Sequence, residues 1–342
     1  MLFTGDVSLA GTKKMNVDAP EWFFQLPMVL NLEGALVHES TPYLKKKIVV
    51  NDYKEIQEYI SDKNVYFNIA NNHILDNGNI KETLDNCKKI GVECFGAGEN
   101  LNEASTPLFV NEDILILTFG WSVIECKQAS EKLPGVNPLK DKYVKSELNR
   151  YRNKYPNKYI IILFHWDYEL EAYPMPSQRR LAFELIDLGC DAIIGAHPHR
   201  VQGSEIYKNK PIVYSLGNWL FEQGVYFDNR LRFPEFCNLQ LAFEFCINGD
   251  HKCHFFENVT DNNVVKYIDT QSLMSSGRMN ELSPFRGMSF DQYDEWFKKN
   301  RYHKKVIPIY YSSESYFTEP CKNLFNYCRT SLINILVKLR IK

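Results

Sequence analysis

A chain of 342 residues with 44% hydrophobic, 14% aromatic and 24% charged content is globular, which excludes a disordered polymer. Forty basic residues against forty-two acidic ones leave a formal charge of −2. That balance excludes nucleic acid as the main partner, because phosphate-backbone binding needs a basic face. Folding at this length buries roughly three quarters of the surface of the extended chain, so a metal here would serve chemistry rather than folding.

The nine cysteines are scattered and lack a CxxC pair, a pattern expected of reduced cytosolic thiols. The chain begins Met1-Leu2-Phe3-Thr4-Gly5-Asp6, without a basic segment followed by an apolar one, and no apolar stretch reaches eighteen residues. Cytoplasmic residence is the expectation.

Along the chain, six short apolar runs stop abruptly at polar residues. They are Leu2-Phe3 before Gly5-Asp6, Pro27 to Leu30 before Asn31-Leu32-Glu33-Gly34, and Val65 to Ala70 before Asn71-Asn72-His73. Then come Tyr159 to Phe164 before His165-Trp166, Ala192 to Ile194 before His197-Pro198-His199, and Pro211 to Tyr214 before Ser215-Leu216-Gly217-Asn218. Continuous apolar runs suit strands buried on both faces. Helical patterns lie between several of them, at Asp52 to Ser61, Asn79 to Ile90, Lys140 to Asn153 and Ser177 to Leu188. The alternation predicts βα units, whose ligands bind beyond the carboxyl ends of the strands.

From about residue 238 the texture changes to a hairpin, Leu239 to Cys246 and Cys253 to Phe256 around Asn248-Gly249-Asp250, then Asn263 to Ile268 and a helix near Asp291 to Asn300. A soft boundary is placed there, with a catalytic domain over 1–240 and an extension over 241–342. Leu324 to Lys342 mixes apolar and basic residues and reads either as a terminal helix packed on the body or as a peripheral contact with the inner membrane face. His251-Lys252-Cys253-His254 lacks a distant partner pair and reads as a surface turn.

Of eight histidines, His73, His165, His197 and His199 follow predicted strands. Asp6, Glu33 and Asn72 occupy equivalent strand ends, which completes a set of oxygen and nitrogen donors without cysteine. Two divalent cations held close together repel, so they need carboxylates, one able to bridge, and neutral donors. In an extended segment residues i and i+2 point the same way, so His197 and His199 are expected to face one cavity. Asp76, three residues after His73, can orient that ring for acid–base work. Ser215, Gly217 and Asn218 read either as turn chemistry or as an amide lining for an anion, and Arg179, Arg180 and Arg200 either as anion clamps or as ion pairs. Glu169, Ser215, Asn218 and Arg200 form the candidate substrate-binding set.

The ordered series Gly5-Asp6, Asn31-Leu32-Glu33-Gly34, Asn71-Asn72-His73 with Asp76-Asn77-Gly78, Gly96-Ala97-Gly98, His165-Trp166 with Glu169, His197-Pro198-His199 and Tyr214-Ser215-Leu216-Gly217-Asn218 resembles the bacterial capsule synthesis protein CapA family. That family is associated with poly-γ-glutamate biosynthesis and related to the calcineurin-like metallophosphoesterases. The resemblance spans about residues 2 to 222. It implies an α/β fold, a metallophosphoesterase-like four-layer α/β/β/α sandwich with one or two divalent ions (Mn, Fe, Zn or Mg) at the strand ends. By position, Asp6 and His199 would bind the first ion, Asn72, His165 and His197 the second, Glu33 would bridge and His73 would donate a proton. Two positions depart from the pattern: Ser8 stands where phosphoesterases commonly have histidine, and Asp167 where CapA-like proteins commonly have glycine.

The expectation is a metal-dependent hydrolase, acting on a phosphate ester or other anionic group in capsule or surface-polymer metabolism. The alternatives are amide hydrolysis or transfer on poly-γ-glutamate, and a non-catalytic component of a capsule-assembly complex. Expected partners are an anionic polymer or phosphorylated glycan and capsule-assembly proteins.

Overall fold

The computed structural model describes residues 1–44, 48–260 and 262–302, together with Tyr310, Cys321, Leu324 and Cys328. All six expected runs are strands, at Leu2–Ser8, Met28–Leu32, Val65–Asn68, Tyr159–His165, Ala192–Ala196 and Lys210–Val213. The four expected helices form at Tyr53–Ile60, Ile80–Lys89, Asp141–Lys154 and Pro176–Asp187. Asp52 and Asn79 sit just outside the first two as N-caps, with side chains accepting backbone N–H groups that the helix leaves unpaired.

Among the described residues these strands divide between two large sheets. One carries Leu2–Ser8, Met28–Leu32 and Val65–Asn68 in parallel; the other carries Tyr159–His165, Ala192–Ala196 and Lys210–Val213 in parallel. A strand absent from the expectation, Ile114–Gly120, pairs along its whole length with Tyr159–His165. Alternation within the strands builds the layers. Ile161 and Leu163 face Phe3, Val29, Leu241 and Phe243 across the gap between the sheets. Ile160, Ile162 and Phe164 belong instead to the apolar cluster that holds Val144, Leu148, Leu181 and Leu185 of the helices. The result is the expected four-layer α/β/β/α sandwich. Each fully buried aliphatic or aromatic side chain stabilises it by roughly 1.5–3 kcal/mol.

Leu239–Glu244, where the boundary near residue 240 is expected, pairs antiparallel with Leu2–Ser8, and Lys252–Val259 and Val264–Ser272 extend the same sheet outward. Residues 239–272 therefore continue the first sheet. The hairpin and the helix Phe290–Asn300 are both present. Of the stretch Leu324 to Lys342, only Leu324 and Cys328 are among the described residues. No helix among them is long and apolar enough to cross a membrane.

The chain crosses from one sheet to the other through Tyr214–Gly217, after which Asn218–Phe221 pairs in parallel with Leu2–Ser8. Two glycines let the backbones meet. A Cβ at Gly5 would lie 1.9 Å from the Gly217 carbonyl oxygen, and one at Gly195 would lie 1.9 Å from that of Tyr214. The carboxyl ends of both sheets are thereby brought to one rim.

Candidate metal centre

At that rim Asp6 and Glu33 come from the first sheet, and His165, His197 and His199 from the second. Ligand atoms of Asp6, Glu33 and His199 lie within 4.8 Å of one another, and those of Glu33, His165 and His197 form a second such group. Glu33 is common to both. All five residues are buried. The histidine pair converges for a reason other than the extended alternation expected of it: His197 and His199 follow the strand end with φ of 98° and 58°. Left-handed backbone at two non-glycine residues costs on the order of 1–3 kcal/mol each and is typical of functional sites.

Glu33 is 0% exposed, and neither of its carboxylate oxygens accepts a hydrogen bond. Its Oε1 lies 3.7 Å from Nε2 of both His73 and His199. Burial, with Asp6, Glu169 and Asp76 nearby, pushes its carboxyl well above the ordinary carboxylate range. Burial likewise raises Asp6, although His199 and a hydrogen bond from Asn31 oppose the shift. His165 is pushed well below the usual imidazole range, again mainly by burial. Two carboxyls raised and an imidazole lowered show a site whose charged states lack solvation.

His73 is partly buried, and its Nδ1 lies 2.6 Å from Asp76 Oδ2, the orienting contact expected from the sequence. Its loop is tied to Glu33's: Asn71 accepts N–H groups from Gly34 and His73 and donates to the Leu32 carbonyl. Asn51 donates to the Glu33 carbonyl and accepts from Leu9 N–H, which fixes the other side.

The sequence reading missed a buried relay behind the ligands. Asn31 donates to Asp6 Oδ1 and lies 3.3 Å from His165 Nδ1; it accepts from Asn68, whose Oδ1 accepts the Thr118 hydroxyl at 2.9 Å. The available signal was an amide interrupting an apolar strand, since an unpaired buried amide is costly.

The remaining predicted residues divide. Asn72 Oδ1 lies 2.8 Å from His165 Nε2, at the second ligand group. Asn218 Oδ1 lies 2.9 Å from His199 Nδ1, at the first. Ser215 Oγ accepts Gly217 N–H at 3.2 Å and so shapes the turn that presents Asn218. Glu169 is exposed yet close enough to Glu33 to help raise it. Arg200 is partly buried, its guanidinium 4.3 Å from the centre of the Phe236 ring. Arg179 and Arg180 form ion pairs with Glu205 and Asp294 at 2.7 and 2.5 Å.

Both departures from the family pattern turn away from the ligand groups. Ser8 Oγ bonds the Tyr226 hydroxyl at 2.5 Å and the Val50 carbonyl at 3.3 Å. Asp167 accepts from Gln202 Nε2 at 2.9 Å and from Tyr168 N–H, and burial raises its carboxyl well above the usual range. Its φ of 70° explains why glycine suits the position. The surface turn expected at His251–His254 is corrected: Lys252–Val259 is a strand, and His254 is fully buried between Glu244 and Thr270 at 3.0 and 2.7 Å.

This donor set fits a divalent cation. A fully buried carboxylate without a hydrogen bond costs several kcal/mol unless a cation compensates it. Oxygen and imidazole donors without thiolate suit Mg, Mn, Fe or Zn.

The chain is 28% identical over 221 residues to the capsule biosynthesis protein CapA of Bacillus anthracis, covering 54% of this chain and 53% of that protein. It is 32% identical over 202 residues to the PGA biosynthesis protein CapA of Bacillus subtilis, covering 57% and 53%. It thus spans about half the length of the curated relatives it matches. Among solved structures it is similar to TT1561 of Thermus thermophilus, at a TM-score of 0.37 and 8% identity, covering 80% of this chain and 98% of that one. That likeness carries no argument about chemistry. Residues 27–223, which include Glu33, Asn72, His73, His165, His197 and His199, match the model of the bacterial capsule synthesis protein PGA_cap, and the chain belongs to that family.

Proposed function

We propose that this protein is a metal-dependent hydrolase in capsule or poly-γ-glutamate biosynthesis, acting on a phosphate ester or another anionic group. The observation that carries the reading is Glu33, a fully buried carboxylate common to the Asp6–His199 and His165–His197 groups. Asp6 and His199 would hold one cation, His165, His197 and Asn72 a second, and Glu33 would serve both. A cation bound there supplies Lewis acidity and an activated water at neutral pH. Asp76 holds the His73 ring through Nδ1, so the protonated ring can give its Nε2 proton to a leaving group. Asn31 keeps the Asp6 carboxylate turned toward the centre, and Arg200 is the candidate cation for an anionic substrate.

Turnover of generic phosphodiesters and monoesters by the protein loaded with manganese or iron tests the reading, with loss of about 10²–10⁴-fold expected in His73→Ala. Metal-loaded protein that turns over no ester overturns the phosphoesterase form. A second reading, cleavage or transfer at an amide of poly-γ-glutamate, is favoured by the name of the Bacillus subtilis relative. Incubation with the polymer, followed by measurement of its chain length, separates the two.

The protein is further proposed to act beside capsule-assembly proteins and to reside at the inner membrane face. Fractionation of a chain truncated before Leu324 checks the membrane part, since unchanged membrane recovery removes the C-terminal contact.

A further inference from the structure

Behind the aromatic wall of the candidate centre lies a separate polar cavity of about 400 Å³ that no role so far described uses. Phe233 and Phe221 form the shared wall: their rings lie 4.4 and 5.5 Å from the His199 ring, and both line the cavity. Asn258 also lines it. That side chain is 4% exposed, and its Oδ1, a hydrogen-bond acceptor, meets no donor. Gln223 is fixed by Phe233 N–H, which donates to Oε1 at 2.9 Å, and its Nε2, a donor, meets no acceptor.

Charge adds a second demand. Arg232 and Lys13 line the cavity against one acidic residue, Glu235. Arg232 is exposed, and among the described residues it has no carboxylate partner and Lys13 Nζ is used only by the Gln223 carbonyl, at 2.8 Å. The unmet groups are therefore one acceptor, one donor and a guanidinium. A secondary amide answers the first two with its N–H and its carbonyl, and a carboxylate answers the third in bidentate form.

We infer that this cavity is a binding subsite for a carboxylate-bearing polyamide, holding a segment of a glutamyl polymer next to the bond presented at the centre. The inference rests on the second reading above, in which the substrate is poly-γ-glutamate. It makes Arg232, Gln223 and Asn258 residues that select the substrate rather than act on it.

Calorimetric binding of a short γ-linked glutamyl oligomer to the full chain tests it, with metal content measured on the same samples. Binding is expected to weaken at least tenfold in Arg232→Glu and in Asn258→Leu, with metal content unchanged. Arg232 is exposed, so its variant tests the idea even if Asn258→Leu fails to fold. Wild-type affinity in Arg232→Glu overturns the subsite. A hexuronate oligosaccharide that binds with the same Arg232 dependence while the glutamyl oligomer does not overturns the polyamide assignment. If the oligomer binds through Arg232 but its chain length never changes, the subsite stands and the amide-cleavage reading fails. If the polymer is cleaved without Arg232 dependence, the reverse holds.

Discussion

Asp76 Oδ2 lies 2.6 Å from His73 Nδ1, and this contact leaves Nε2 of the ring aimed at the buried Glu33. Loss of the contact frees the ring without removing it. Asp76→Asn is therefore expected to lower kcat by about 10- to 100-fold and to alter the pH profile of kcat while leaving metal content intact. His73→Ala is expected to be worse. Steady-state kinetics across pH 5–9 checks both, and equal profiles for Asp76→Asn and wild type would show that the pair is not a catalytic unit.

Glu33 separates metal binding from stability. Its raised carboxyl means the metal-free protein carries it protonated to higher pH than an ordinary carboxyl, so cation uptake within that range expels the proton. Calorimetry in buffers of different ionisation enthalpy is expected to record proton release on metal binding. Glu33→Gln mimics the protonated acid: thermal unfolding of the metal-free variant should match or exceed wild type, while the metal-induced rise in Tm disappears.

His165 sets a pH limit for the metal-free fold. Its folded pKa lies well below the unfolded value near 6.5, so the unfolded chain binds the proton more readily. Stability is then expected to decline as pH falls below about 6.5. Saturating metal, which needs the neutral ring, should offset the decline. Denaturant titrations at pH 7.5 and 5.5, with and without metal, measure it.

Glu244 gives the same sign over a lower pH range. The hydrogen bond from His254 holds its carboxyl down at about 2, against an ordinary value of 4.5. A depressed folded pKa contributes stability that is present above about 4.5 and lost as pH falls toward 2. With the pair partly screened by solvent, Glu244→Gln is expected to cost on the order of 2 kcal/mol at neutral pH and to flatten the acid limb of the unfolding curve.

Gly5→Ala tests the contact between the first sheet and the crossing segment that ends at Gly217. The added methyl would stand 1.9 Å from the Gly217 carbonyl oxygen, which is backbone and cannot rotate away. A loss of at least about 3 kcal/mol is expected, together with reduced metal uptake because Asp6 is the next residue. Denaturant unfolding and metal analysis check the two effects.

The strands that carry ligands were legible because each is an apolar run that ends on a polar group, and the helices were legible from their period. Ile114–Gly120 escaped because it ends on Gly120-Trp121 with no metal-ligating residue type at its carboxyl end, although it is as apolar as its neighbours. Asn31 and Asn68 escaped as partners because their hydrogen bonds run across strands distant in sequence. Ser215 and Asn218 share one loop and one residue type class, yet one oxygen closes the turn while the other reaches His199. Spacing alone carries no information about that choice. The left-handed φ at His197 and His199 was invisible too, since neither residue is one that announces such backbone.

Because main chain meets main chain at Gly5 and Gly195, the crossing that ties the two sheets together at the ligand end is seated at both of its ends on bare peptide rather than on side-chain bulk. Trimming the filling between the sheets, as with Ile161→Val or Leu163→Ala, would then soften the molecule without widening the mouth that grips a cation. Tolerance of the interior and intolerance at two hydrogen atoms are the same design seen from opposite sides.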